Sequence, residues 1–178
     1  RYYDCVAGTG NADSSVGAYA SSGAWNYDDE VTYGFGYGLS YTTFDYEIEG
    51  EPKFEIGTNE NGSPSAFATF SVKVTNTGSV EGKTPVQIYG QAPYTQGGVE
   101  KPAIQLLNFE KTDVLAPGAS QTVEVKVDLQ YIASYDESHD NGDGTKGTYI
   151  MDPGDYYFAV GNGAHDALNA IMAMQGMD

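Results

Sequence analysis

Positive charge is scarce in this chain. Eight Lys and Arg stand against 25 Asp and Glu in 178 residues, a formal net charge of −17. Nucleic acids and anionic membrane surfaces require a positive face, so neither is expected as a partner. Cysteine is nearly missing. Cys5 is alone, so no internal disulfide can form, and a reducing, cytoplasmic location is favoured over a secreted one. No apolar run approaches the ~20 residues of a membrane-spanning helix. The two histidines, His139 and His165, lie far apart, and with one Cys they assemble no zinc set of normal spacing. Gly-x-Ser-x-Gly, the strained turn of a serine hydrolase, is absent. A signal-peptide pattern is absent as well, and the chain opens on Arg1 rather than Met, so a piece of a longer protein is expected.

What is abundant is glycine, with 23 residues, and tyrosine, with 15. Together with Thr they suit short strands and tight turns. Residues 1 to about 34 show neither strand nor helix period, and their sparse apolar residues cannot build a core. Trp25 and Tyr27 there either pack this stretch onto a neighbouring domain or offer a platform for a sugar.

From Tyr41 the pattern changes to strands. Tyr41–Glu49 and a short Phe54–Ile56 come first, then a breaker-rich loop over 57–65. Ala66–Thr75 alternates most clearly: Ala68, Phe70, Val72 and Val74 are placed in the core, with Phe67, Thr69, Ser71 and Lys73 on the other face. Asn76-Thr77-Gly78-Ser79 reads as a turn. Lys83–Gln91 follows, with Val86, Ile88 and Gly90 on one face and Pro85 at its start or on an edge. A strand opened by Lys101-Pro102 carries Ile104, Leu106 and Leu107. After a Pro117-Gly118 turn, Val123, Val125 and Val127 point inward from Gln121–Asp128. Residues 129–135 form a short helical turn or an irregular stretch crossing to the opposite sheet, and Asp136–Gly147 a polar hairpin loop. Thr148–Met151 and Tyr156–Val160 complete about seven strands, with turns every ~8–12 residues, the spacing of a β-sandwich. His165, Leu168, Ile171 and Met172 then adopt helical spacing, with Asp166 where a carboxylate suits the helix dipole.

One stretch is more specific than the rest. Phe35-Gly36-Tyr37-Gly38-Leu39-Ser40-Tyr41-Thr42-Thr43-Phe44 is not a phosphate loop, because neither a helix pattern nor Lys-Ser or Lys-Thr follows. It resembles the joint between the α/β sandwich domain of family 3 glycoside hydrolases and their fibronectin type III-like domain. Arg1-Tyr2-Tyr3-Asp4 resembles the Arg-Tyr-Tyr stretch before that joint, although Gly34 stands where the family often has Pro. Val74-Thr75-Asn76-Thr77-Gly78 resembles a turn of that sandwich. Gly161-Asn162-Gly163-Ala164-His165-Asp166-Ala167-Leu168-Asn169 is similar to the connector of members in which the barrel comes last.

The resemblance implies an all-β chain. A fibronectin type III-like (immunoglobulin-like) β-sandwich would occupy residues 41–162. The tail of an α/β sandwich domain and the joint would occupy 1–40, as an irregular N-terminal extension, and a short connector helix 163–178. It implies a parent β-glucosidase that removes terminal β-D-glucosyl residues by a retaining mechanism, with this segment as a non-catalytic structural domain. The family's nucleophile and acid/base motifs lie elsewhere, so no catalytic, cofactor or metal residue is assigned here. The partners implied are the α/β sandwich and barrel domains of the same enzyme, the β-glucoside through that parent, and a second copy in a homodimer. Tyr2, Tyr3, Trp25, Phe35, Tyr37, Leu39 and Tyr41 are the residues expected at the interdomain interface.

Other chemistry has weak support in the residues. Asp28-Asp29-Glu30 offers adjacent carboxylates, but neighbours on a loop are a solvated charge run rather than the opposed pair that glycoside hydrolysis needs. Asp136-Glu137-Ser138-His139-Asp140-Asn141-Gly142-Asp143-Gly144 has calcium-type oxygens in the wrong spacing for an EF-hand, with Asn141 and Gly147 where Gly and Glu belong. Two other readings stay open: a carbohydrate-binding module using exposed Trp and Tyr, and a stand-alone adhesion or interaction domain.

Overall fold

Strand β3 (Pro64–Asn76) is long enough for two short strands to share one of its edges. In the computed structural model, which describes residues 31–95 and 97–176, β1 (Phe44–Ile48) pairs with its second half and β2 (Lys53–Thr58) with its first, both antiparallel. Strand β6 (Ser120–Asp128) runs along the opposite edge. A second sheet has the order β5 (Gln105–Lys111), β4 (Pro85–Gln91), β9 (Tyr157–Gly161). Pro85 opens β4, the central strand of that sheet, where its missing N–H costs least.

The two sheets close over the alternating residues expected to be inside. Ala68, Phe70, Val72 and Val74 from β3 meet Val123, Val125 and Val127 from β6 and Val86 and Ile88 from β4 in one apolar cluster. The Phe70 and Phe158 rings sit 5.2 Å apart across this core. A bulge between Ile88 and Tyr89 shifts the β4–β5 register and turns Leu107 into the cluster. Gly90 sits beside it, where a Cβ would press on the Leu107 and Ile132 methyls and oblige them to shift. Short-period alternation therefore specifies an all-β sandwich, as expected.

Three details differ from the sequence reading. First, β4 was expected to bury one face, yet Tyr89 is wholly buried on the other. Helix α1 (Ala164–Met174) is the reason: it folds back on the outer face of the second sheet instead of leading away, and Ala167 and Ile171 join Tyr89 and Ala159 in a second cluster. Second, Phe67 was placed on the polar face. It lies there but is covered, with the Lys126 ammonium 4.2 Å from its ring centre. Third, the polar stretch after the 3-10 turn Leu129–Ile132 is not a loop throughout. It forms β7 (Ser134–Asp140) and, with β8 (Lys146–Ile150), a separate two-stranded hairpin, which raises the strand total among the described residues to nine.

The outward face of the first sheet carries cross-strand ion pairs: Lys53 with Glu124 at 3.5 Å, Lys126 with Glu55 at 2.5 Å and Lys73 with Glu47 at 4.0 Å. All are exposed, so each is worth only about 0.2–1 kcal/mol and the apolar clusters carry the stability. Ile88→Ala should cost about 2–5 kcal/mol in urea denaturation, from lost transfer energy and the cavity left behind. Ile56→Ala, at an 80% exposed position, should change stability by less than about 0.5 kcal/mol.

Candidate functional site

The interface residues expected from sequence divide into three groups. Tyr2, Tyr3 and Trp25 lie outside the described residues, as do Cys5, Tyr27 and the Asp28-Asp29-Glu30 cluster. Phe35 and Tyr37 belong to a compact unit that ends at Tyr37; there the Tyr37 N–H donates to the Gly34 carbonyl at 3.0 Å and the Tyr33 and Tyr37 rings are 4.9 Å apart. Leu39 and Tyr41 belong to the second unit and are 90% and 98% exposed, an unusual degree for large apolar side chains. Phe35 and Tyr37 are themselves 64% and 57% exposed.

What holds the Leu39–Tyr41 segment to the sandwich is the next residue. Thr42 is buried, and its hydroxyl donates to the Asn76 side-chain oxygen at 2.6 Å. Asn76 has no exposed surface. Its side-chain oxygen also accepts from the Gly78 N–H at 3.1 Å, and its amide nitrogen donates to the Val80 and Leu115 carbonyls, both at 2.8 Å. Every hydrogen-bonding position of that amide is used. Its backbone is also engaged, donating to Ala119 and accepting from Gly118. Gly78 must lack a side chain, since a Cβ would collide with Thr42. The turn reading of Asn76-Thr77-Gly78 was right in place but missed that the Asn is a buried junction. A polar residue ending a perfectly alternating strand was the only signal.

A second buried polar group was also missed. The Lys101 side chain is 3% exposed and its ammonium meets the Asp152 carboxylate at 2.5 Å, tying the segment before β5 to the turn before β9. The Gln91 amide donates to the Ala103 carbonyl at 2.9 Å in the same region. Burial pushes the Tyr89 hydroxyl up to about 12, with the Asp166 carboxylate adding to the shift, and the hydroxyl donates to Gln87 at 2.9 Å. A raised phenol favours the protonated folded state, so its contribution is complete below pH ~10 and is lost as pH climbs towards ~12.

The acidic hairpin loop is built for turning the chain. The Asp136 carboxylate accepts from the Ser138 hydroxyl and N–H, and the Asp143 carboxylate from the Thr145 hydroxyl and N–H; those bonds hold both carboxyls below their ordinary range. The two N–H bonds are side-chain-to-backbone turn bonds, and the hydroxyl bonds reinforce them. Among the described residues no three His, Cys, Asp or Glu side chains gather as a metal set.

Asn76→Ala should destabilise the sandwich by about 3 kcal/mol or more, because several buried groups lose partners at ~1–3 kcal/mol each. Asn76→Asp should be no rescue, since it turns a carboxylate oxygen towards two carbonyls; denaturant midpoints of the three proteins check both. Asp152→Ala should cost about 2–3 kcal/mol, less than the 3–5 of a fully buried pair because Asp152 has access to water. Adding Lys101→Met to Asp152→Ala should recover most of that loss, and a double-mutant cycle measures it.

Residues 84–164 match the family model of the fibronectin type III-like domain. The chain is 40% identical over 144 residues to Beta-glucosidase A of Butyrivibrio fibrisolvens, covering 78% of this chain and 17% of the relative. It is 39% identical over 139 residues to a Beta-glucosidase of Ruminococcus albus, covering 78% and 13%. Among solved structures, a β-glucosidase from Paenibacillus barengoltzii shares 40% identity and superposes with a TM-score of 0.61 over 76% of this chain and 14% of that one. β-Glucosidase 3B from Thermotoga neapolitana shares 30% identity at a TM-score of 0.56, over 80% and 17%. The chain thus spans less than a fifth of the length of these relatives. The chain therefore holds a fibronectin type III-like domain, kin to a segment of the family 3 β-glucosidases.

Proposed function

We propose that this chain is the non-catalytic accessory domain of a larger β-glucosidase. The observation that carries the reading is the disproportion of the match. About four-fifths of this chain aligns with proteins of which it spans less than a fifth, so the rest of such an enzyme has ample room for the catalytic apparatus. The parent would release terminal β-D-glucosyl residues, with retention of configuration, from a barrel domain elsewhere. The domain's task would be mechanical: to pack on the α/β sandwich domain and hold its edge, in an enzyme that could pair with a second copy.

The contact surface proposed for that task comprises Tyr2, Tyr3, Trp25, Phe35, Tyr37, Leu39 and Tyr41. Its support within the sandwich unit is the exposure of Leu39 and Tyr41 on a backbone that Thr42 and Asn76 anchor; Phe35 and Tyr37, in the preceding unit, are exposed in their own right. Side chains of this size are commonly covered when they cluster. The connector role of α1, and a barrel following it, remains part of the same proposal.

Two measurements test the reading. The gene on either side of this segment should encode an α/β sandwich and a barrel, and the isolated 178-residue chain should not hydrolyse p-nitrophenyl β-D-glucopyranoside. Hydrolysis by the isolated chain, or flanks without a hydrolase, would overturn it. In the full enzyme, Leu39→Ser with Tyr41→Ser should lower the inactivation temperature, while the isolated chain keeps its stability within about 0.5 kcal/mol.

A further inference from the structure

The sandwich has a cleft outside the proposed contact surface. It lies at the end of the first sheet where β3 begins and β6 ends, with the β2–β3 turn on one side and β5 with the 3-10 turn on the other. It holds about 390 Å³, at the lower end of small-ligand sites. Phe67 and Leu107 supply apolar floor, and Tyr131, 54% exposed, stands at the rim.

The polar groups around it are fixed in place before any ligand arrives. The Asp128 carboxylate is held by the Ser65 hydroxyl at 2.5 Å, the Gln130 N–H at 3.0 Å and the Gln130 amide at 2.6 Å. The Asn108 amide donates to the Lys126 carbonyl at 2.6 Å, and its oxygen accepts from the Phe109 N–H at 2.8 Å. Asn59 accepts from the Asn61 and Ser63 N–H groups and donates to Gln130. Each of these amide nitrogens keeps a second hydrogen, and Asp128 keeps acceptor capacity at Oδ2, so the rim has donors and acceptors to spare. Their orientations are already settled, and a ligand would not have to order them.

Charge narrows the ligand class. Glu60 and Asp128 line the cleft, and its one cation, Lys126, already sits against Glu55 and the Phe67 ring. An anion would meet net repulsion. A purely apolar ligand would strip water from the carboxylate and the amides without replacing their bonds. A neutral ligand with many hydroxyls and one apolar face satisfies both demands: its hydroxyls donate to Asp128 and accept from Asn59 and Asn108, and its C–H face rests on Tyr131.

We infer that this cleft is a non-catalytic binding site for a neutral pyranose sugar. The site is separate from the contact surface proposed above and does not require the parent to be a glucosidase. Sugar binding would therefore belong to the sandwich itself rather than to Trp25 or Tyr27.

The test is an NMR titration of the isotopically labelled 178-residue chain with methyl β-D-glucopyranoside and, separately, cellobiose. Saturable shifts confined to the amides around Asn59, Asn108 and Asp128–Tyr131 are expected. Tyr131→Ala, a change at an exposed position, should weaken binding at least tenfold while leaving the spectrum otherwise folded. Asn108→Asp, which removes an amide donor and adds a negative charge, should weaken it by a similar factor. No saturation at tens of millimolar of either sugar, shifts centred elsewhere, or affinity unchanged in folded Tyr131→Ala would each overturn the proposal.

Discussion

One side-chain amide holds the top of this sandwich together. Asn76 meets the lead-in segment through Thr42, its own following turn through Gly78 and Val80, and the β5–β6 connection through Leu115. The lead-in segment and the β5–β6 connection are far from Asn76 in the sequence. An amide suits this position because it alone offers two donors and two acceptors without charge, so it can be buried completely at no ionic cost. The same Leu115 carbonyl also accepts from Gly82, whose carbonyl in turn receives the Leu115 N–H, so the two crossing connections are laced to each other around the amide.

Below that junction the architecture follows from unequal covering of the two sheets. The first sheet is dressed on its outer face by charged pairs and needs no further layer. The second has apolar side chains on both faces of β4, and helix α1 supplies the cover that Tyr89 and Ala159 require. The helix is consequently a third layer of the domain whatever else it joins. Its short apolar stripe, Ala167, Leu168 and Ile171, is buried in full.

The functional reading rests on separation of duties within one small domain. On the function proposed above the chemistry lies elsewhere in a larger enzyme, and Asp136 and Asp143 serve turns while Glu47, Glu55 and Glu124 serve surface pairs. What the domain offers instead is shape: exposed aromatic and aliphatic side chains on a tethered segment, and a polar cleft at the opposite end of β3. The first suits a permanent neighbour, because large apolar groups gain most from being covered. The second suits a transient, hydroxyl-rich ligand, because its polar groups are oriented but not saturated.

Much of this was legible in the residues. Period-2 alternation in 66–75 and 121–128 placed the core valines correctly, since a strand has only two faces and one of them must be dry. The Pro117-Gly118 turn, Pro85 at a strand start and the helical spacing after Gly163 followed from backbone chemistry alone. The joint motif around Phe35–Phe44 pointed to the family. The sequence could not say that Asn76 and Lys101 are buried, because burial of a polar group depends on partners distant in the chain: Thr42 and Leu115 for one, Asp152 for the other. It could not say that β4 is covered on both sides, because that depends on where α1 turns. The cleft is likewise a product of tertiary structure, since its walls come from five separate segments that only the closed sandwich brings together. Local pattern determined the strands and their inner faces; the long-range contacts alone decided which polar groups went inside and which surfaces stayed open.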